Sequence, residues 1–227
     1  MQKHTASMID VNVDRTSIKA YLAIPEGGDV PGVLVIHAWW GLTDFFKGVC
    51  DRLADAGFVA LAPDLYNGKT SSTTNEAKRL RSKLTRTKVT KVLSRSVDHL
   101  LSLLAETGDR VGVVGFSLGA YWALWLAESK PNEIAAVVPF YGSRSGNYRG
   151  TQAAFLGHFA ENDEWAPLDS VRKLEERLRT AKKEVTFYVY PRTKHWFFEE
   201  NQPEAYDKAA AKLAWERTVE FLHKQLD

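Results

Sequence analysis

The sequence predicts a three-layer α/β sandwich, a mainly parallel sheet between helical layers with an antiparallel hairpin at its N-terminal edge. Two observations carry this prediction. Short, continuous apolar runs of the kind that form strands covered on both faces recur along the chain. Amphipathic helical patterns separate them, and strands alternating with helices imply right-handed βαβ crossovers and parallel strands.

The elements follow in order. Met8–Val13 and Ile18–Ile24 alternate in polarity around the turn-prone Asp14-Arg15-Thr16, which predicts a β-hairpin. Pro25-Glu26-Gly27-Gly28 breaks the chain. Val33–Ile36 is the first buried-strand run. Asp44–Ala56 has apolar residues at helical spacing, with Gly57 placed as a C-cap. Phe58–Ala62, closed by Pro63, Arg110–Phe116, Ile134–Phe140, Ala153–Phe159 and Val185–Tyr190 are further strands. The clearest helical patterns between and after them are Ala120–Glu128, Val171–Lys182 and Ala205–Lys224. There is no repeat and no linker, so residues 1–227 are expected to form one domain.

Composition narrows the function classes. Thirty Lys and Arg against 28 Asp and Glu leave a formal charge of +2, which argues against a dedicated nucleic-acid binder. Cys50 is the only cysteine, so no internal disulfide or cysteine-based metal site can form. The opening residues lack a secretory pattern, and the apolar runs fall well short of the roughly 20 residues that span a bilayer. A cytoplasmic protein without membrane partners is expected, as a monomer or small homo-oligomer. Residues Lys69–Arg95 stand apart, with nine cationic side chains and only Glu76 acidic. They read as two solvated helix faces. The sharper alternative has some of them drawing anionic substrates to a site, or binding polyanions. Val89, Val92, Leu93, Val97, Leu100 and Leu104 predict that the second helix packs on the sheet.

The chemistry centres on Gly115-Phe116-Ser117-Leu118-Gly119. A GxSxG pattern alone is weak, since a chain of this length holds one by chance about one time in ten or twenty. Here it follows the apolar Val111–Val114 and opens a helical pattern, the context of a nucleophile elbow. The glycines are needed because side chains two positions from the serine would collide with strand or helix. A capping serine at an ordinary strand–helix junction is the plain alternative.

A serine hydroxyl needs a base, and His195 is the candidate. It follows the last strand in Pro191–Phe197, at the sheet edge where Ser117 lies. His4 reads as part of an untethered start, His99 and His223 belong to helices, and His158 reads as a packed neutral residue inside a strand. Asp163 is the expected orienter, with Glu161 and Glu164 as rivals in the same loop.

These residues, with Val35–Gly41, Ala62–Tyr66, Lys194–Phe197 and Ala214–Thr218, make the chain similar to the dienelactone hydrolase family over nearly its whole length. The resemblance implies the α/β-hydrolase fold and hydrolysis of a small ester or lactone through an acyl-enzyme, with no cofactor and no metal. It also implies an oxyanion hole from the Leu118 and Trp39 amides, with His37 bracing the loop beside Trp39. Three positions depart from the pattern. Serine stands at 117 where well-known members have cysteine, Ala38 where they have a thiol-poising glutamate, and Glu199 where an arginine binds the lactone carboxylate. The customary dienelactone is therefore not implied. Trp40, Trp165, Trp196 and Phe197 are candidate pocket residues, beside Trp39 and Phe198, about half of these rings being expected in the core. A non-catalytic scaffold that binds ligands, and thioester hydrolysis or acyl transfer by the same triad, are the alternatives.

Overall fold

The computed structural model describes residues 4–27, 30–104 and 110–227, so the expected break at Gly28 falls outside the described residues. The chain forms two compact units, Met1–Val111 and Gly112–Asp227. In the first, β1 (His4–Val13) and β2 (Thr16–Pro25) are antiparallel neighbours, and β2 runs antiparallel to β4 (Val59–Pro63). β3 (Gly32–Ile36) then pairs with β4 in parallel. All five residues of β3 and of β4 are buried, as their unbroken apolar runs require.

Three helices complete this unit: α1 (Asp44–Asp55), α2 (Thr74–Ser82) and α3 (Arg86–Leu103). Helix α1 ends in a Schellman arrangement. Phe58 N–H donates to the Leu53 carbonyl (3.0 Å) and Gly57 N–H to Ala54 (3.0 Å), with Gly57 at φ +94°. In α3, Val89, Val92, Leu93, Val97 and Leu100 are buried, whereas all nine cations between Lys69 and Arg95 are exposed. The solvated-face reading of these cations fits, with one addition. Lys91 and Arg95 each reach the hairpin-turn residue Asp14 at 3.1 Å. His4 differs from expectation: it is 7% exposed, and its ring contacts Asp55 at 2.8 Å and Asp51 at 3.3 Å, clamping β1 to α1.

The second unit orders its strands β5 (Val111–Phe116), β6 (Ile134–Phe140), β7 (Ala154–Asn162) and β8 (Val185–Lys194). Parallel pairing joins β6 to β7 and β7 to β8. Its helices are α4 (Leu118–Ser129), α5 (Leu168–Thr180) and α6 (Lys208–Leu226). Helix α4 is apolar on nearly every side because seven of its residues are buried. Helix α6 starts three residues later than its apolar pattern suggests. Asp207 caps it by accepting from Ala210 N–H at 2.9 Å, and the preceding residues close on Gln202 instead. Strand β8 runs on to Lys194, past the Pro191 at which a loop was expected.

His158 is the packed strand histidine that the sequence suggested. The Thr218 hydroxyl donates to the Ala214 carbonyl (2.8 Å), so it accepts from His158 Nε2–H at 3.0 Å. Nδ1 then accepts from the Tyr190 hydroxyl at 2.8 Å, and Arg217 donates to that hydroxyl at 3.2 Å. Burial, with the Arg217 charge adding to it, pushes the His158 pKa down to about 3. Among the described residues no helix is long and apolar enough to cross a membrane, and no group of three metal-binding side chains occurs.

Two predictions follow from these elements. Unfolded His158 takes up a proton below about pH 6.5 while the folded ring stays neutral to about pH 3, so stability falls as pH drops through that window. Denaturant titrations of His158→Gln should show a pH slope shallower than wild type by about 1.4 kcal/mol per pH unit between about pH 6 and about pH 4. Lys182 occupies the C′ position of α5 at φ +58°, with Lys183 N–H on the Leu178 carbonyl (3.0 Å). Lys182→Gly should therefore raise stability by about 0.5–1 kcal/mol, against the usual cost of added glycine.

Candidate active site

The elbow begins with β5 and ends with α4. Between them Ser117 has φ 53° and ψ −107°, a left-handed conformation that costs a non-glycine residue about 1–3 kcal/mol. Hydrogen bonds hold it there: Ser117 N–H donates to the Phe140 carbonyl (3.0 Å), and the Ser117 carbonyl accepts from Ala120 N–H (3.0 Å). A Cβ at Gly115 would overlap the Gly119 carbonyl and lie 2.8 Å from the Ala120 nitrogen, so only glycine fits. Gly142, just beyond β6, backs the turn in the same way. A Cβ there would meet the Ser117 carbonyl oxygen and the Ala120 side chain, both at 2.7 Å. Sequence reasoning had no signal for Gly142, because its partner lies across a strand and not along the chain.

Strands β7 and β8 supply the other two groups. Their ladder is regular to Ala160↔Tyr190 and resumes at Asn162↔Lys194, so two residues along β7 are matched by four along β8. Arg192 absorbs the extra length at φ 60°, with its N–H on Glu161 Oε2 (2.8 Å). Asp163 and His195 are the residues directly after the last pair. Without the bulge, His195 would overshoot Asp163 by two positions.

The three side chains meet. Ser117 Oγ is 2.8 Å from His195 Nε2, and His195 Nδ1 is 2.7 Å from Asp163 Oδ2. The Asp163 side chain is 1% exposed, and its Oδ1 accepts from the N–H groups of Trp165 (2.8 Å) and Ala166 (2.9 Å). Three polar contacts thus orient a carboxylate that fixes His195 with the proton on Nδ1 and leaves Nε2 to accept from the serine. Of its rivals, Glu161 is spent on the bulge and Glu164 is exposed.

The aromatic rings around this set divide sharply. Phe197 is fully buried between Tyr141 (5.6 Å) and Tyr190 (4.9 Å), so it is a core ring and not a pocket wall. Phe198 packs on Phe116 (5.6 Å) and Phe140 (4.6 Å), also in the core. Trp165 and Trp196 stay at the surface around His195, with ring centres at 6.4 Å and 4.9 Å from its own. Glu199 also needs correction. It presents no surface to a ligand, being fully buried, and its carboxylate accepts from the Tyr141 hydroxyl at 2.8 Å. Burial and that carboxylate raise the Tyr141 pKa well above the ordinary phenol value, so the hydroxyl stays protonated.

In the first unit, Trp39 and Trp40 are buried in the turn after β3, their rings edge to face at 5.4 Å. His37 braces this turn: its Nδ1 donates to the Ala38 carbonyl (2.6 Å) and Nε2 accepts from Leu65 N–H (3.3 Å). Complete burial lowers its pKa, so the neutral tautomer these bonds need is the stable form. Ala38 is fully buried beside it and offers no acid.

The elbow geometry makes a direct prediction. Gly115→Ala should cost about 1–3 kcal/mol of stability and sharply reduce hydrolytic activity, because backbone atoms must move. Gly150→Ala, where an added Cβ meets nothing within 4 Å, should leave both unchanged in parallel melts and activity assays.

The comparisons with known proteins agree with this architecture. The family model for the dienelactone hydrolase family matches residues 18–226. "Protein usf" of Aquifex pyrophilus is 32% identical, the match covering 96% of this chain and 98% of that one. A protein of Aquifex aeolicus, provisionally assigned as a carboxymethylenebutenolidase, is 29% identical over the same shares. Among solved structures, a provisionally assigned dienelactone hydrolase of Klebsiella pneumoniae superposes with TM-score 0.84 at 25% identity, covering 97% of this chain and 98% of its own. The dienelactone hydrolase of Anabaena variabilis, at 22% identity, shares the fold with TM-score 0.73 over 99% and 100% of the two chains. The chain is thus a hydrolase of the α/β-hydrolase fold and belongs to the dienelactone hydrolase family.

Proposed function

We propose that the protein hydrolyses carboxylic esters or lactones through an acyl-enzyme on Ser117. The observation that carries this reading is the 2.8 Å contact between Ser117 Oγ and His195 Nε2, made from a strained elbow that aims the hydroxyl at a base. In the proposed cycle Ser117 attacks the carbonyl carbon while His195 takes its proton. Asp163 stabilises the imidazolium so formed. The tetrahedral oxyanion is held by the amide of Leu118, the first residue of α4, which has no partner within its own helix. The family pattern assigns the second donor to the Trp39 amide, and each such donor is worth about 2.7–4 kcal/mol. His195 returns the proton to the leaving oxygen, and water then repeats the sequence on the acyl-enzyme.

The departures at 117 and 38 fit together in this scheme. A hydroxyl has no thiolate form to stabilise, so a carboxylate beside the nucleophile would serve nothing, and Ala38 is the residue present. Relatives named as carboxymethylenebutenolidase and lactonase favour keeping lactones within the substrate class.

Turnover of short nitrophenyl esters tests the reading. Ser117→Ala and His195→Gln should each lower kcat at least about a thousandfold, and Asp163→Asn by about 10³–10⁴ because the imidazole loses its tautomer lock. A fluorophosphonate probe should label wild type once, on Ser117. Undiminished turnover in Ser117→Ala would sink the assignment, and a folded wild type that refuses the probe would favour the non-catalytic scaffold.

A further inference from the structure

Whatever leaves from the tetrahedral adduct must sit against His195. As the carbon–oxygen bond breaks, its electron pair stays on the leaving oxygen, which takes the Nε2 proton, so that oxygen lies within hydrogen-bond reach of Nε2. The group attached to it must occupy the space flanking the imidazole. Among the described residues, Tyr141, Trp196 and Trp165 flank it. Tyr141, 5.0 Å away, is fully buried and has no surface to offer. Trp196 stands edge-on at 4.9 Å and is partly exposed, while Trp165 is 52% exposed at 6.4 Å. The two indoles lie 6.2 Å apart with planes 44° from each other, two surface rings on the base's side.

The backbone gives a second, independent reason to single out Trp196. Phe197 N–H donates to the Lys194 carbonyl (3.1 Å), closing a turn whose third residue is Trp196 at φ +68°. Glycine is the ordinary occupant of that position. A bulky aromatic there is a local strain that the turn itself does not call for, placed one residue from the base.

We propose that Trp165 and Trp196 form the alcohol-side subsite, which takes a planar aryl or arylmethyl group on the leaving oxygen. Aromatic selectivity then resides in the leaving group and not in the acyl chain. The assignment rests on the Ser117–His195 reading, because the position of the proton donor is what identifies the two indoles as the alcohol side.

Two matched ester pairs test it through kcat/KM. Benzyl and cyclohexylmethyl acetate differ in the planarity of the alcohol group, and methyl phenylacetate and methyl cyclohexylacetate differ likewise in the acyl group. Wild type should favour benzyl acetate on the order of five- to tenfold, the stacking contribution of one aromatic pair, and should treat the acyl pair nearly equally. Trp165→Leu, which keeps apolar surface but no flat ring, should bring the benzyl preference close to one, and Trp165→Phe should retain it. Trp196→Gly, which suits the turn's backbone, should also lose the preference, so the test does not hang on one substitution. Fluorophosphonate labelling of each chain separates the two claims. A labelled Trp165→Leu that keeps the benzyl preference, or a wild type whose aromatic preference falls on the acyl pair, overturns the subsite alone. A wild type that is neither labelled nor active on any ester overturns the nucleophile reading beneath it.

Discussion

The candidate site depends on the pairing of β7 with β8. Two residues on one strand matched by four on the other set where each strand delivers the residue after its last ladder pair, and those residues are Asp163 and His195. A hydrogen bond of 2.7 Å between two buried side chains needs its partners placed to a few tenths of an ångström, which loops alone rarely achieve. A ladder with a fixed bulge supplies that placement. Its own elements are few: the positive φ of Arg192, the Glu161 carboxylate on its N–H, and the Thr193 hydroxyl on the Tyr190 carbonyl (2.8 Å). Pro191 suits such a spot because it needs no ladder partner.

The same logic of backbone first, side chain second governs the serine. The elbow stores strain at Ser117, and Gly115 and Gly142 are the space that makes the strain tolerable. The strands then converge on the serine from three directions: β5 leads into it, the end of β6 accepts its N–H, and the residue after β8 brings His195 Nε2 to its hydroxyl. Beside the His195 ring, Tyr141 and Glu199 form a buried pair, and Trp165 and Trp196 lie near the same ring at the surface.

Much of this was legible in the residues. Continuous apolar runs marked β3, β4, β5 and β6, whose residues are all buried, because a strand covered on both faces cannot alternate. That Ser117, Asp163 and His195 would meet was readable because each follows its own strand in the order this fold demands. Other features were not legible, for physical reasons. The bulge left no pattern, since Pro191 reads as a strand end whether or not the ladder resumes. Glu199 looked like a ligand-facing charge because sequence position does not show its partner, Tyr141, 58 residues away. His4 looked untethered because the carboxylates it contacts, Asp51 and Asp55, belong to a helix far along the chain. Contacts distant in sequence are what local pattern leaves out.

The bond between Asp163 and His195 can be observed directly. In a proton NMR spectrum at near-neutral pH, an Nδ1–H locked onto a buried carboxylate gives a far-downfield, slowly exchanging resonance. Wild type and Ser117→Ala should show it, and Asp163→Ala and His195→Gln should not. A folded wild type without that resonance, or one that keeps it after Asp163→Ala, would contradict the placement of these two residues on which the candidate site rests.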